Sequence, residues 1–429
     1  MIVIERPNKD EWMNYTFRPG IKKQELDKLV GDVIVDVQLN GDKALERYTE
    51  KFDRIKLNRF KVEEEEFNKA VDLVSDDLKN AIALAKENIE KFHKSQIYTE
   101  SKVETTEGVE CWRKSVAIEK VGLYIPGGTA PLFSTILMLA IPAKLVGCKE
   151  IVICTPVTTT GEINPAILYT CHLLGIKNVF KVGGSQAIAA MACGTESIPS
   201  VYKIFGPGNQ FVTKAKELVQ QMGVAIDMPA GPSEVLIIAD KTCNPSFVAA
   251  DLLSQAEHGA DSQVILLSDD SEVINEVNTE LAKQLEELPR KELATQALKN
   301  SRAISLKSFD ECIEFSNEYA PEHLIIASES ASESVDKIVN AGSVFLGNYS
   351  CESAGDYASG TNHTLPTNSF ARNYSGVSID SFVKKITFQK LNKKGLENIG
   401  PAIEIMAEAE ELYAHKNAVT LRLNEIRNV

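Results

Sequence analysis

At 429 residues the chain exceeds the size at which one hydrophobic core keeps growing, so two or more domains are expected, and 44% hydrophobic content leaves core material in good supply. Its 60 acidic against 46 basic residues give a formal charge of −14, and with no long Lys/Arg cluster this argues against nucleic acid and anionic lipid as partners. The most apolar stretch, Phe133 to Val146, is broken by Pro142 and Lys144 and is too short to span a membrane, while Met1-Ile2-Val3-Ile4 leads at once into Glu5 and Arg6 without the layout of a secretory signal, so a cytoplasmic protein is expected.

Along the chain, the segment before Gly20 carries Trp12, Tyr15 and Phe17 and reads as a packing arm or a satellite cluster. Leu26, Leu29, Val30, Val33, Ile34 and Val37 recur at helical spacing and stop at Asn40-Gly41. Glu63 to Glu66 is an acidic run suited to a solvated face or a first helical turn. Leu78, Ile82, Ala85, Ile89 and Phe92 mark a second amphipathic helix.

From Val116 the pattern changes to short β-rich runs alternating with helical segments and Gly/Pro turns: Val116 to Ile125, Ile151 to Thr155, Val179 to Val182, Val201 to Phe205. A second series follows at Val235 to Ala239, Val264 to Leu267, Ala303 to Leu306, Leu324 to Ala327 and Val344 to Leu346. The fold class expected is therefore α/β, with two Rossmann-like parallel-sheet units and small N-terminal helical and C-terminal extensions. Gly347 to Ser375 reads as a long functional loop, and it carries Asp356 and His363. A last strand, Ile386 to Leu391, precedes a helix from about Ala402 to Tyr413 that ends at His415-Lys416-Asn417.

Eight cysteines without a Cys-x-x-Cys pair argue against thiolate zinc and against a disulfide framework. Cys148 and Cys154 flank a predicted strand, where a buried, inert thiol outweighs a nucleophile.

Gly206-Pro207-Gly208-Asn209-Gln210-Phe211 follows a strand and opens a helix, yet has Phe211 where a dinucleotide fingerprint needs its third glycine. Asp227 lies near the spacing of a ribose-binding acid and equally suits a surface or capping role. Two more glycine turns, Gly127-Gly128 and Gly183-Gly184, end predicted strands, where open parallel sheets bind ligands.

Gln255 and His258 are three apart at the end of a predicted helix and can reach one ion. In Pro321-Glu322-His323 two titratable groups are adjacent and would face opposite ways on a regular strand, so a bend before a strand starting at Leu324 is expected. A hydrogen-bonded structural role competes for every histidine, and His93 and His172 are read as structural. On these residues alone three activities compete: a metal-assisted dehydrogenase, a zinc hydrolase, and a ligand-binding protein without turnover.

Taken in order, Val121-Gly122-Leu123-Tyr124-Ile125-Pro126-Gly127-Gly128, Gly206-Pro207-Gly208-Asn209, Gln255-Ala256-Glu257-His258-Gly259, Pro321-Glu322-His323, Gly355-Asp356 through His363 and Ala414-His415-Lys416-Asn417 resemble the motifs of the histidinol dehydrogenases, from about Val116 to about Leu423. The resemblance implies NAD-dependent oxidation of L-histidinol through L-histidinal to L-histidine, with Glu322 and His323 catalytic. It implies NAD contacts at Tyr124, Gln186 and Asn209, and one zinc per subunit on Gln255, His258, Asp356 and His415. It implies substrate contacts at Ser233, Gln255, His258, Glu322, His323, Asp356, His363, Glu410 and His415. It also implies a homodimer whose tail crosses into the partner's site. The domains that follow are 1–20 an arm, 21–123 with 233–375 the metal and substrate unit, 124–232 the NAD unit, and 376–429 the crossing tail.

Overall fold

The computed structural model describes residues 1–18, 23–127 and 130–427, so Gly20 and Gly128 lie outside the described residues. Lys120–Tyr124 is the middle strand of a five-stranded parallel sheet, with Glu150–Thr155 and Val179–Lys181 on one side and Lys203–Phe205 and Ala225–Ile226 on the other. The strand order reverses at this middle strand, which opens a crevice at the carboxyl ends of Lys120–Tyr124 and Lys203–Phe205. Gly206 sits in that crevice with φ +126, and a Cβ there would meet the Tyr124 carbonyl oxygen, so only glycine lets the two strand ends approach.

A six-stranded parallel sheet runs in the order Ile2–Glu5, Arg302–Ser305, Gln263–Ser268, Glu234–Ala239, His323–Ala327, Ser343–Leu346. Glu234–Ala239, Gln263–Ser268 and His323–Ala327 are buried at every position. That is why they read as continuous apolar runs rather than alternating ones. The segment whose role the sequence left open supplies the edge strand Ile2–Glu5, and its Trp12 is buried edge-on against Phe315 with ring centroids 5.2 Å apart.

The sequence reading groups 21–123 with 233–375, and the packing does otherwise. Val30, Val33, Ile34 and Val37 join Tyr124, Val152 and Ile204 in one core, and Phe67, Ile82, Ala85 and Ile89 join Leu123, Ile136 and Ile153 in another. The helices Lys23–Asn40, Glu64–Leu73 and Asp76–Ser95 thus cover the five-stranded sheet. Periodicity shows that a helix has an apolar face and is silent on which sheet that face meets.

The run Val116 to Ile125 also divides. Val109–Ala117 pairs antiparallel with Val383–Leu391 and Val103–Thr106, and a separate strand begins at Lys120. The tail is therefore anchored by a strand. The single tail helix of the sequence reading is two, Lys393–Ala409 and Tyr413–Arg427, separated by a turn in which Glu411 takes φ +59. Among the described residues no helix is long and apolar enough to cross a membrane.

Candidate active site and metal centre

A cavity of about 330 Å³ lies where the two parallel sheets face each other, lined by Tyr124, Gly206, Asn209, Ser233, His258, Glu322 and His363 among others. The five-stranded sheet presents its carboxyl ends, as open parallel sheets do. The six-stranded sheet presents its amino ends, since Ser233 and Glu322 immediately precede the strands Glu234–Ala239 and His323–Ala327.

Glu322 and His323 are 6% and 4% exposed, so both must be satisfied from within. The strand starts at His323, one residue earlier than the sequence suggests, and Ala320 makes the bend with φ +54. The bend brings both side chains to the main chain of Glu234. Its N–H donates to Glu322 Oε2 at 3.0 Å, and its carbonyl oxygen lies 3.3 Å from His323 Nδ1. Glu322 Oε2 and Glu352 Oε1 each stand 3.7 Å from the same Nδ1, while Nε2 faces Asp356 Oδ1 at 3.7 Å and has no hydrogen-bond partner. Three acceptors around Nδ1 place the proton there and leave Nε2 basic.

Burial disfavours the charged form of His323, but the carboxylates of Glu352, Glu322 and Asp356 outweigh it and raise its pKa to about 10, so Nε2 is freed to act as a base when a bound cation takes up those carboxylate charges. Burial pushes Glu322 and Glu352 up to about 8 each, against the opposing pull of His323. Glu322, Glu352 and Asp356 thus converge with His323 on one buried spot, and carboxylates gathered in this way ionise readily once a divalent cation sits among them.

Ligand atoms of His258, Glu352 and Asp356 all lie within 4.8 Å of one another. Gln255 ends the helix Pro245–Ala256, which makes it the neighbour of His258. With its amide turned to satisfy both partners, its nitrogen donates to Glu352 and its oxygen accepts from the Glu234 N–H at 2.9 Å. Imidazole, carboxylate and carboxamide donors fit a divalent ion of the zinc type.

Glu352 is the residue the sequence reading missed. It fell in a stretch rich in Asn, Ser and Gly that read as loop, whereas Glu352–Tyr357 is a short helix that sets Glu352 and Asp356 four apart on one face. The Glu-x-x-x-Asp spacing was the available signal.

The remaining expected residues are placed as follows. His363 lines the cavity with both nitrogens engaged, Nδ1 with the Asp356 carbonyl at 2.9 Å and Nε2 with the Thr135 hydroxyl at 3.1 Å. Asn209 caps the helix Gln210–Gln220, its Oδ1 accepting from the N–H groups of Phe211 and Val212. The Tyr124 hydroxyl accepts from the Gly184 N–H at 3.1 Å, and the buried Gln186 keeps Oε1 without a partner. Asp227 is consumed internally: buried, it pairs with Lys216 and accepts from the Gly206 N–H at 2.8 Å, so it holds the glycine turn. Glu410 and His415 are exposed on the tail and outside the cluster of His258, Glu352 and Asp356.

His93 is buried between the Ile89 carbonyl and the Asn362 amide, as a structural histidine should be. The Cys148 thiol is pushed up to about 12 by burial and that of Cys154 higher still, which leaves both inert.

Residues 17–423 match the histidinol dehydrogenase family, a span that reaches further toward the amino terminus than the motifs do. The chain is 58% identical over 427 residues to the histidinol dehydrogenase of Bacteroides thetaiotaomicron, covering 100% of both chains. It is 52% identical over 413 residues to that of Escherichia coli K12, covering 96% of this chain and 94% of the other. Among solved structures, the histidinol dehydrogenase of Elizabethkingia anophelis superposes with a TM-score of 0.98 at 61% identity, covering 100% of this chain and 99% of that one. The chain belongs to the histidinol dehydrogenase family, oxidoreductases of the last steps of histidine biosynthesis.

Proposed function

We propose that this chain oxidises L-histidinol to L-histidine through L-histidinal, using NAD and one divalent cation, zinc by preference. The observation that carries the reading is that the carboxyl of Glu322, with His323 next to it in the chain and 3.7 Å away, borders the cavity that Tyr124 and the glycine turns at Gly127 and Gly206 also line.

His258, Asp356 and Gln255 would hold the cation, with Glu352 beside them. A bound cation would supply Lewis acidity and a docking point for an imidazole and amino-alcohol substrate, and bound NAD would accept hydride. His323 takes the hydroxyl proton on Nε2 while Nδ1–H stays on the Glu234 carbonyl. Glu322 then takes a proton from water as it adds to the aldehyde, His323 returns its proton to the aldehyde oxygen and so is free again, and it takes the hydroxyl proton of the resulting hydrate as the second hydride leaves. Tyr124, Gln186 and Asn209 would contact NAD; the unpartnered Gln186 Oε1 supports that role for it. Ser233 and His363 would flank the substrate.

Glu410 and His415 belong to the same reading through a dimer. His415 of the partner subunit would complete the cation site, and the partner's Glu410 would meet the substrate's ammonium group. The tail supports this by what it leaves open: Ile405, Met406, Tyr413 and Leu421 are 61–69% exposed, an apolar surface that a second copy would cover. We also place the enzyme in the cytoplasm, whose reducing conditions suit its free cysteines.

The test is absorbance of reduced nicotinamide on mixing protein, NAD and L-histidinol, with and without a chelator. Signal that the chelator abolishes supports the proposal. Hydrolysis of an ester or amide without any such signal favours a zinc hydrolase instead.

A further inference from the structure

We propose that the amino-terminal arm is part of the catalytic apparatus, with Arg18 a positioning residue that sets Glu322 and His323 through Glu234; this rests on the roles given to those two residues above. Arg18 grips the Glu234 carboxylate bidentately, Nε to Oε2 at 2.7 Å and Nη2 to Oε1 at 3.0 Å, with side chains 9% and 2% exposed. The carboxylate also accepts from the Tyr319 hydroxyl at 2.9 Å and the Asn368 N–H at 2.8 Å, so the buried pair is well satisfied.

The carboxylate of Glu234 is fixed by these groups, and its main chain is what the catalytic side chains touch. The Glu234 N–H donates to Glu322 and its carbonyl accepts from His323. Arg18 reaches the same pair by a second route. Its guanidinium lies 3.5 Å over the Tyr319 ring and donates to the Tyr319 carbonyl at 2.8 Å, just before the left-handed Ala320 that turns the chain into Glu322-His323. One side chain from the arm therefore ties the start of one strand to the bend before its neighbour. Both catalytic groups hang from that junction. A shift of roughly 1 Å in such a junction is enough to cost about 100-fold in rate.

The experiment uses the full-length protein with Arg18→Lys, which keeps the charge and loses the fork, and Tyr319→Phe, which removes one hydroxyl from the carboxylate. Arg18→Lys should lower kcat about 10- to 100-fold with KM for L-histidinol within about threefold, and should displace the pH profile of kcat, while circular dichroism and zinc content stay as in the wild type. Tyr319→Phe should move the same two readouts less, and it decides the matter if Arg18→Lys does not fold. Wild-type kcat and pH profile in both folded variants would overturn the proposal, as would a loss that merely follows the folded fraction with the profile intact. Glu322→Gln and His323→Asn are measured alongside. If they keep wild-type kcat, the roles assigned above fall and the proposal with them; if they are inactive while Arg18→Lys is not, the relay through Arg18 alone falls.

Discussion

His323 Nδ1 and the main-chain oxygen of Glu234 stand 3.3 Å apart, and since a carbonyl oxygen only accepts, the ring must donate there. That contact decides the tautomer. In the proposed mechanism Nε2 is the base for both oxidation steps, whereas Glu322 is needed only where water adds. His323→Asn should therefore lower kcat for alcohol and aldehyde alike by about 10²- to 10⁴-fold. Glu322→Gln keeps an acceptor for the Glu234 N–H and should slow aldehyde oxidation at least 100-fold while sparing the first step. Steady-state rates with L-histidinol and L-histidinal measured separately check this, and equal losses at both steps in Glu322→Gln would count against the division of labour.

Glu352 is 2% exposed, receives the Gln255 amide and keeps Oε2 without a partner. Removing its charge should weaken zinc binding about 10- to 100-fold, the usual effect of a residue that orients a ligand. Competition with a chromophoric chelator reads this directly on Glu352→Gln. Unchanged affinity would reduce Glu352 to a packing role.

Asp53 offers a stability test away from the cation site. Burial raises its pKa from 3.8 to about 6, and Oδ2 has no partner. An acid whose folded pKa lies above its unfolded one binds more protons when folded, so its stabilising share is full below about pH 4 and is lost as pH rises through 6. Asp53→Asn should thus raise Tm at pH 7.5 by a degree or two, with the gain disappearing near pH 4. Calorimetry at the two pH values settles it, and a gain independent of pH would contradict the assignment.

Much of the fold was readable in the sequence, because both parallel sheets are buried on two faces and write themselves as apolar runs between glycine turns. Which sheet the early helices cover was not readable, since Val30 and Ile89 would look the same against either one. At the site, Gln255 and His258 were legible from their spacing. Glu352 was hidden because a six-residue helix inside a polar stretch has too few turns to show a period. Arg18 was hidden too, because its partner Glu234 lies 216 positions away and nothing local marks the pair.

The exposed His415 gives a test of the dimer. If the tail crosses as proposed, mixed His323→Ala and His415→Ala subunits form heterodimers in which one site carries both lesions and the other carries neither. Equal mixing after dissociation should restore about a quarter of wild-type activity, from half the dimers each with one intact site. No recovery would contradict a site built from two chains.

The most direct test of the central claim is a count: reduced nicotinamide by absorbance against L-histidine by chromatography, in one reaction started with L-histidinol and excess NAD. Two reduced nicotinamides for each histidine are predicted, because both hydrides leave from one carbon within one site. A ratio of one with aldehyde accumulating, or histidine formed without nicotinamide reduction, would contradict it.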